Sequence, residues 1–567
     1  MNHFKFTGLE FHNRRMWKWA AVERALDFIE EFGMDALIFH QNDLLDAVVL
    51  PDGYFSEEEM WAYWPIRYCA IGTNGSYIKK LLRECAKRGI QFYFEVKEIW
   101  YPPALLEKYP HLRRKGGHIC PTDPFWFEFL SRKVRELTET FPQMAGIIVS
   151  PATRESKVSI AAGQCGCERC KTMSESEWYA RYIHAVHEPL AEAGKRLIVR
   201  DFAYDMGSQS SVLEAAADCA SDIVMALKNV PHDFWPVFPD NPAIEHRTEL
   251  EKWIEYDVWG QYCGLGVFPC SLVEDIMRRQ THCLECGCTG IWYRTDWELL
   301  DDCSCFNSLN MLNLIAGVMH AKNPDCTVEE IYQRWMRYGI NIALTEESAV
   351  LPPEQPAVEA LSGLRQLMET ANTILMKTLY VRGHVFSYSS RYQHSYESIY
   401  RVMNVYHRRD QWDPASKKEI YPSKENLEAV FREKEEALAL ATGLKEYFNV
   451  NALGISGRLQ AQIQEMLHLL VLYVKGFKLQ AQVYFHMNRA LEERDAQSLQ
   501  EAVRTCAELE EFCKRLTERL EGDRYPFYLC WMMDPSELRL LAADIRRLAG
   551  CKTDEMLPGD AGKGERI

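Results

Sequence analysis

Residues 6–40 read FTGLEFHNRRMWKWAAVERALDFIEEFGMDALIFH and contain the unit from which the fold can be predicted. Phe6–Phe11 is a short apolar run. The segment Trp19–Phe32 that follows has apolar residues three and four apart, as in a helix packed on a core. A second short apolar run, Ala36–His40, comes next. A strand, a helix and a strand in this order predict two parallel strands joined by a helical crossover.

The same alternation recurs over the first 295 residues. Helical periodicity returns in Tyr77–Arg88, Phe125–Thr140 and Ser176–Ala193. The remaining apolar runs that predict strands are Gln91–Val96, Gly146–Ser150, Leu197–Phe202, Asp222–Leu227, Trp253–Trp259 and Gly290–Arg294. Eight strand–helix units close a (β/α)₈ TIM barrel. An open doubly wound sheet is the alternative, but no Gly-rich phosphate loop follows the first run. We therefore expect an α/β fold built on a barrel.

The periodicity changes after Asp296. From there the chain is mostly helical, with Leu351–Pro356 as a proline-rich linker and a long helical stretch at Gly457–Glu493. Between them, Tyr380–Trp412 is rich in Tyr, His, Arg and Ser and weakly periodic, which fits either a loop over the barrel mouth or an irregular surface connection. The predicted organisation is a catalytic barrel over 1–325, a mostly α-helical C-terminal domain over 326–555 and a disordered tail over 556–567.

Composition excludes several classes of function. The formal net charge is -16, and no run of Lys or Arg forms a basic stripe, which argues against a nucleic-acid partner. The sequence has neither an apolar signal region nor an apolar run that could span a bilayer, so we expect no membrane association and a cytoplasmic location. The 19 cysteines are then expected to be reduced thiols or metal ligands rather than a disulfide framework.

Acidic residues lie where such a barrel keeps its active site, at and beyond the carboxyl ends of its strands. Glu155 follows the fourth strand and would protonate a leaving oxygen if partial burial raised its pKa; alternatively, it is a surface residue paired with Arg154. Asp233, after strand six, and Asp257, late in strand seven, are further carboxylates at strand ends, which are costly to bury without a function or a partner, unless they form ordinary salt bridges. Such a set of carboxyl groups fits a glycosidase that acts on an oligosaccharide and requires no cofactor. The side chains assigned to substrate binding are Arg200, Lys228, His40, Trp235, Trp292 and Asp296.

Two of these residues carry a prediction about substrate charge. Arg200 and Lys228 end adjacent strands, so their side chains can converge above the barrel. Two converging cations are costly to desolvate unless an anion joins them. The sequence therefore predicts a sugar acid whose carboxylate contacts both residues. The alternative is that Asp201, Asp233 or Asp257 neutralises them.

At these positions the chain resembles the α-glucuronidases of glycoside hydrolase family 67, in order from about residue 5 to 340. The motifs that carry the resemblance are Pro121-Thr-Asp-Pro124, Phe141–Val149 with Glu155, Arg200–Asp205, Lys228 with Pro231 and Asp233, Asp257 ahead of Gly260-Gln261, and Asn307–Trp335. The resemblance implies an inverting α-glucuronidase-like enzyme, with Glu155 as the acid and Asp233 or Asp257 as the base. It also implies uronate contacts from Arg200 and Lys228, and a homodimer.

The sequence departs from the family at several points. The family's N-terminal β-domain has no counterpart here. Pro151 replaces a substrate-contacting Lys, Ser156 and Lys157 replace a Gly-rich stretch, and Asp257 stands where the family has Glu. The barrel and its acid–base chemistry therefore carry over better than the glucuronyl specificity. A retaining hexosaminidase and a non-catalytic glycan-binding barrel remain alternatives, although a hexosaminidase would have an Asp-Glu pair in place of Arg154-Glu155.

Cysteines cluster in the loop after the fourth strand. Cys165, Cys167 and Cys170 could hold a structural zinc ion if a fourth ligand came from elsewhere, or they could be free, partly buried thiols. A second cluster, Cys283-Leu-Glu-Cys286-Gly-Cys288, precedes strand eight and is expected at the opposite face of the barrel.

Overall fold

A computed structural model describes residues 3–49, 53–114, 117–163, 165–345, 351–522 and 525–550. Eight parallel strands pair in chain order, and the first also pairs with the last, so the sheet closes into a barrel. The strands are β1 (Phe6–Phe11), β2 (Ala36–His40), β3 (Gln91–Val96), β4 (Gly146–Val149), β5 (Arg196–Arg200), β6 (Val224–Lys228), β7 (Glu251–Asp257) and β8 (Gly290–Arg294). The predicted barrel is confirmed, and the open sheet is excluded.

Helices separate most of these strands. Those of the barrel part are α1 (Trp19–Glu31), α2 (Leu44–Val48), α3 (Glu57–Tyr63), α4 (Pro65–Lys87), α5 (Leu105–Lys108), α6 (Pro124–Thr140), α7 (Glu168–Thr172), α8 (Glu175–Glu192), α9 (Met206–Cys219), α10 (Val273–Glu285), α11 (Met311–Lys322) and α12 (Val328–Tyr338). Helix α4 begins twelve residues before the predicted Tyr77, at Pro65, whose fixed φ suits the first turn of a helix. Between β6 and β7 the described residues contain only a short 3₁₀ turn, Pro242–Ile244.

Large side chains fill the amino-terminal half of the barrel interior. The rings of Phe6 and Trp253 stack with centroids 3.9 Å apart. A Cβ atom at position 290 would lie 2.5 Å from the Trp253 ring, so Gly290 provides the space for this stack. Toward the carboxyl ends of the strands, the inward-facing residues change from apolar to charged. This change marks the end of the barrel at which chemistry is expected.

The C-terminal part is helical, as predicted. Its helices are α13 (Leu361–Leu379), α14 (Tyr396–Arg401), α15 (Lys424–Tyr447), α16 (Gly457–Glu492), α17 (Ala496–Leu520), α18 (Phe527–Met532) and α19 (Pro535–Gly550), and the two short strands β9 (Tyr380–Val381) and β10 (His384–Val385) form a hairpin. None of the described helices combines the length and the apolar character needed to cross a bilayer. The predicted disordered tail lies outside the described residues, and the predicted domain boundary near residue 325 stays a prediction.

The weakly periodic segment 380–412 packs on the loop that follows β7. The Tyr380 hydroxyl donates to the Tyr262 carbonyl at 2.8 Å, and the Ser390 hydroxyl donates to the Gln261 carbonyl at 2.9 Å. Of the two interpretations of this segment, the loop over the barrel mouth is therefore the one that the structure supports.

Candidate active site

The floor of the barrel mouth is a buried network of charges centred on Arg200, at the end of β5. Its guanidinium donates to both carboxylate oxygens of Glu255, at 2.5 and 2.8 Å, and lies 3.2 Å from a carboxylate oxygen of Glu95. Burial acts to raise the pKa of Glu255, but the adjacent Arg200 brings it below its ordinary value. Burial raises the pKa of Glu95 to about 8. Arg200 was predicted to contact a substrate carboxylate, but its guanidinium is already paired with Glu255 inside the protein.

Two other predicted substrate contacts lie in the same buried layer. His40 Nδ1 is 2.8 Å from Glu10 Oε1, and the indole N–H of Trp292 donates to Glu10 Oε2 at 2.8 Å. Both side chains are buried. Burial also raises the pKa of Glu10 well above its ordinary value. The structure brings these residues together beneath the mouth, as supports of Glu10, and a substrate contact for them stays a prediction.

Above this floor stand three partly exposed carboxylates, from the loops after β4, β6 and β8. The exposed fractions of their side chains are 35% for Glu155, 16% for Asp233 and 36% for Glu298. Partial burial raises the pKa of the Tyr388 hydroxyl to about 12, and the charges of all three carboxylates add to this rise. The ammonium groups that pair with Glu155 and Asp233, those of Lys97 and Lys228, lie 5.0 and 3.8 Å from the centroid of one ring, Phe202, so these two carboxylates approach the same space.

Each of these carboxylates has a cationic or hydrogen-bonding partner. Lys97 Nζ is 2.5 Å from Glu155 Oε2. The alternative in which Glu155 pairs with Arg154 is therefore not observed, and the Arg154 guanidinium lies over the Tyr204 ring instead. Lys228 Nζ is 3.1 Å from Asp233 Oδ1. Asp233 thus neutralises Lys228, as one alternative in the sequence analysis proposed.

Asp233 is held as a carboxylate. The Tyr262 hydroxyl donates to its Oδ2 at 2.5 Å. Burial acts to raise the pKa of Asp233, but the charges of Lys228 and Arg294 hold it well below its ordinary range. Glu298 is similar: burial acts to raise its pKa, while His12, 2.6 Å away, and Lys97 bring it below its ordinary value.

The other base candidate, Asp257, has a different environment. Its two oxygens accept hydrogen bonds from the backbone N–H groups of Trp259, Gly260 and Gln261, at 3.2, 3.3 and 2.9 Å. Asp296 is also buried and accepts the backbone N–H of His12 at 2.5 Å. Burial raises the pKa of both, to about 7 for Asp296. Asp257 and Asp296 therefore both accept hydrogen bonds from loop backbone. Of the two predicted bases, Asp233 and Asp257, only Asp233 has an appreciably exposed side chain.

Aromatic rings surround Asp233. The predicted substrate contact Trp235 is buried beneath Tyr262, with ring centroids 3.7 Å apart. His407, from the segment 380–412, lies 5.0 Å from Trp235 and stacks on Tyr388 at 5.6 Å. Tyr388 is exposed and Trp235 is not, so Tyr388 is the ring available to a ligand.

Sequence reasoning missed several members of this site. Lys97 lies two residues beyond Glu95, so the inward parity of β3 was a usable signal for it. Glu298 lies in a turn beyond the end of β8, where strand parity gives no signal. Tyr388 and His407 come from the C-terminal part and had no local signal. The predicted metal ligands Cys165, Cys167 and Cys170 lie farther along the Glu155 loop, beside Cys120.

No protein-family model and no curated protein matches this sequence. Among solved structures, an enzyme of glycoside hydrolase family 138, described as targeting pectin rhamnogalacturonan II, is similar at 14% identity with a TM-score of 0.59; the match covers 92% of this chain and 63% of that chain. A family 115 4-O-methyl-alpha-glucuronidase gives 10% identity, a TM-score of 0.42 and coverage of 96% and 61%. A Flavobacterium johnsoniae chitobiase is 11% identical with a TM-score of 0.37, and the match covers 96% of this chain and 78% of that chain. At such identities, what the chain shares with the family 138 enzyme is the fold.

Proposed function

We propose that this chain hydrolyses a glycosidic bond of an acidic carbohydrate at the barrel mouth. The observation that carries the proposal is the proximity of Glu155 and Asp233, whose ammonium partners both lie over the ring of Phe202. Most glycosidases need two carboxyl groups that flank the scissile bond, one to protonate the leaving oxygen and one to activate water or attack the sugar. The fold shared with the family 138 enzyme agrees with a carbohydrate substrate.

We assign the base to Asp233. A general base must be ionised before it takes a proton from water, and Lys228 and Arg294 favour the ionised form of this carboxyl. The Tyr262 hydroxyl fixes its orientation. Asp257 is the weaker candidate because three backbone N–H groups already occupy its oxygens.

We assign the acid to Glu155. Its neighbours are the Lys97 ammonium and, at 3.5 Å, the side-chain amide of Asn42. An acid must carry a proton when the bond breaks, so Lys97 has to release Glu155 in the substrate complex. A substrate anion that pairs with Lys97 would bring about this exchange, which links an acidic substrate to the acid step.

Besides Lys97, the cation best placed to contact the substrate's carboxylate is Arg154. Arg200 is paired with Glu255, whereas Arg154 is exposed and has no carboxylate partner among the residues that the structure describes. Its guanidinium lies over the Tyr204 ring, 4.6 Å from the centroid. The Tyr204 ring lies 4.9 Å from the ring of His232, the residue before Asp233, so Arg154 lies close to both catalytic candidates. A guanidinium binds a carboxylate with two parallel hydrogen bonds.

A screen of aryl glycosides and uronic-acid-bearing oligosaccharides tests the proposal. We expect hydrolysis of an acidic substrate, and NMR of the first-formed product should show inversion at the anomeric carbon. Retention of configuration would replace the inverting mechanism by a retaining one of the hexosaminidase kind. Binding of these oligosaccharides without hydrolysis would favour the alternative of a non-catalytic glycan-binding barrel.

Glu155→Gln should show the signature of a lost acid. We expect kcat to fall by about 10²–10⁴ on a glycoside with a poor leaving group. The loss should be far smaller on a 2,4-dinitrophenyl glycoside, since this leaving group departs without a proton. Glu298→Gln is the matched control in the same mouth and should show no such dependence on the leaving group. Equal losses of Glu155→Gln on both substrates would contradict the assignment.

Arg154→Ala should reduce selectivity for acidic substrates. Loss of a charged hydrogen-bonding contact costs about 1.5–3 kcal/mol, so kcat/KM for the acidic substrate should fall roughly 10- to 150-fold. The neutral analogue should be hydrolysed as by the wild type. Lys157→Ala is the control, because Lys157 is a cation of the same loop that lies over the Trp100 ring. If Arg154→Ala lowers kcat/KM equally for the acidic and the neutral substrate, Arg154 does not contact the substrate's carboxylate.

A further inference from the structure

Four cysteine sulfurs meet beside the loop that carries Glu155. Cys120 comes from the segment between β3 and α6, Cys165 and Cys167 from the loop after β4, and Cys170 from α7. Their sulfur atoms all lie within 4.8 Å of one another. Cys120 is the fourth ligand that the sequence did not identify, because 44 residues separate it from Cys165.

The distances between these sulfurs match a metal site. Cys120 lies 3.6 Å from Cys167 and 3.7 Å from Cys170, and Cys165 lies 3.5 Å from Cys170. A tetrahedral zinc ion with Zn–S bonds of about 2.3 Å places its sulfurs about 3.8 Å apart. A disulfide would bring two sulfurs to about 2.05 Å. All four thiols are free, and two of them, Cys120 and Cys170, are buried.

The other clusters of metal-ligand type do not compete with this site. Glu10 lies in two such clusters, one with Glu95 and Glu255 and one with His12 and His40. The oxygens of Glu10 and Glu255 are bonded to Trp292, His40 and Arg200, and Oε1 of Glu95 lies 3.2 Å from Arg200. The Arg200 guanidinium already supplies a positive charge to the acidic cluster, whereas the four sulfurs contact mainly one another.

We propose that Cys120, Cys165, Cys167 and Cys170 bind one structural Zn²⁺ ion that fixes the Glu155 loop to the segment before α6. Four thiolates complete the coordination shell, so the ion has no open position for catalysis. Residues 150–167 contain neither helix nor strand in their described part. A loop of this length is costly to order without a cross-link. The zinc ion supplies that cross-link between the β4 loop, with Arg154 and Glu155, and the loop that follows β3.

Metal analysis of the full-length protein tests the site directly. We expect about one equivalent of zinc per chain by mass spectrometry. Protein loaded with Co²⁺ should show thiolate-to-cobalt charge-transfer bands and the visible absorption of tetrahedral cobalt. Removal of zinc by a chelator should lower the melting temperature, because binding energy at such a site is folding energy.

Variants separate this site from adventitious binding. Cys120→Ser and Cys167→Ser should each lose most of the zinc and the cobalt bands, whereas Cys286→Ser, at the opposite barrel face, should keep both. If Cys120→Ser does not fold, zinc content and cobalt bands can be measured on Cys167→Ser, whose side chain is partly exposed. A zinc titration of wild-type protein after chelation is a second test. Wild-type protein without zinc or cobalt bands, a disulfide among these cysteines, or full metal content in both variants would overturn the proposal.

Discussion

Replacing Asp233 by Asn is expected to lower kcat on the acidic substrate by about 10²–10⁴, the usual contribution of a positioned acid or base. Asn has nearly the same size and still accepts the hydrogen bond of Tyr262, so the shape of the mouth is kept. It cannot take a proton from water, and it removes the anionic partner of Lys228. The measurement is steady-state kinetics, with the melting temperature as a check on folding.

Two further variants decide whether the loss is specific to Asp233. Asp222→Asn changes an exposed Asp just before β6, at the opposite end of the strand from Asp233. Its Oδ1 lies 2.9 Å from His187 Nε2, far from the barrel mouth, so kcat should not change. Asp257→Asn should lower the melting temperature rather than kcat, because Asp257 caps three backbone N–H groups. An active Asp233→Asn enzyme together with a stable, inactive Asp257→Asn enzyme would transfer the role of base to Asp257.

The barrel could be predicted from the sequence because its strands are buried on both faces. Such strands are short apolar runs, and Phe6–Phe11, Ala36–His40 and Gly290–Arg294 have the predicted bounds. The bounds of β5 were wrong. This strand ends at Arg200 and not at Phe202, because the apolar Phe202 lies beyond the last residue that pairs with a neighbouring strand.

The candidate site was predictable only where local alternation decides it. On β3, positions 93, 95 and 97 face inward, so Lys97 reaches the mouth. The next residue, Glu98, has the opposite parity and lies 3.0 Å from Lys133. Asp201 follows Arg200 directly and bonds Ala203 and Gln209, so it does not neutralise the cations of the mouth.

Other parts of the site depend on tertiary packing. The partners of Arg200 come from β3 and β7, which approach it only when the barrel closes. Tyr388 and His407 reach the mouth through contacts more than 120 residues distant in sequence, such as that between Ser390 and Gln261. No local pattern encodes pairings of this kind.

Replacing Arg200 by Met is expected to destabilise the protein by about 3–5 kcal/mol, because removal of one partner leaves buried charges uncompensated. Glu255 and Glu95 would both lose the guanidinium that now lies within 3.2 Å of each. Arg88→Met is the control: Arg88 pairs with the largely exposed Asp27 and Glu30, and its loss should cost no more than about 1 kcal/mol. Urea unfolding measures both.

The destabilisation should depend on pH in a defined direction. Glu95 has a pKa of about 8 in the folded protein, which is above its value in the unfolded chain. Its contribution to the free energy of unfolding is therefore fully present at low pH and is lost as the pH rises through 8. Without Arg200 the folded-state pKa of Glu95 should rise further, and that of Glu255 should rise from its present lowered value. The penalty of the variant should therefore be larger at pH 8 than at pH 5. The double variant Arg200→Met, Glu255→Gln should recover part of the loss, because it removes one of the unpaired charges. If Arg200→Met is instead as stable as the wild type and loses only kcat/KM for acidic substrates, then Arg200 contacts the uronate, as the family 67 resemblance implies, and the carboxylate site at Arg154 is wrong.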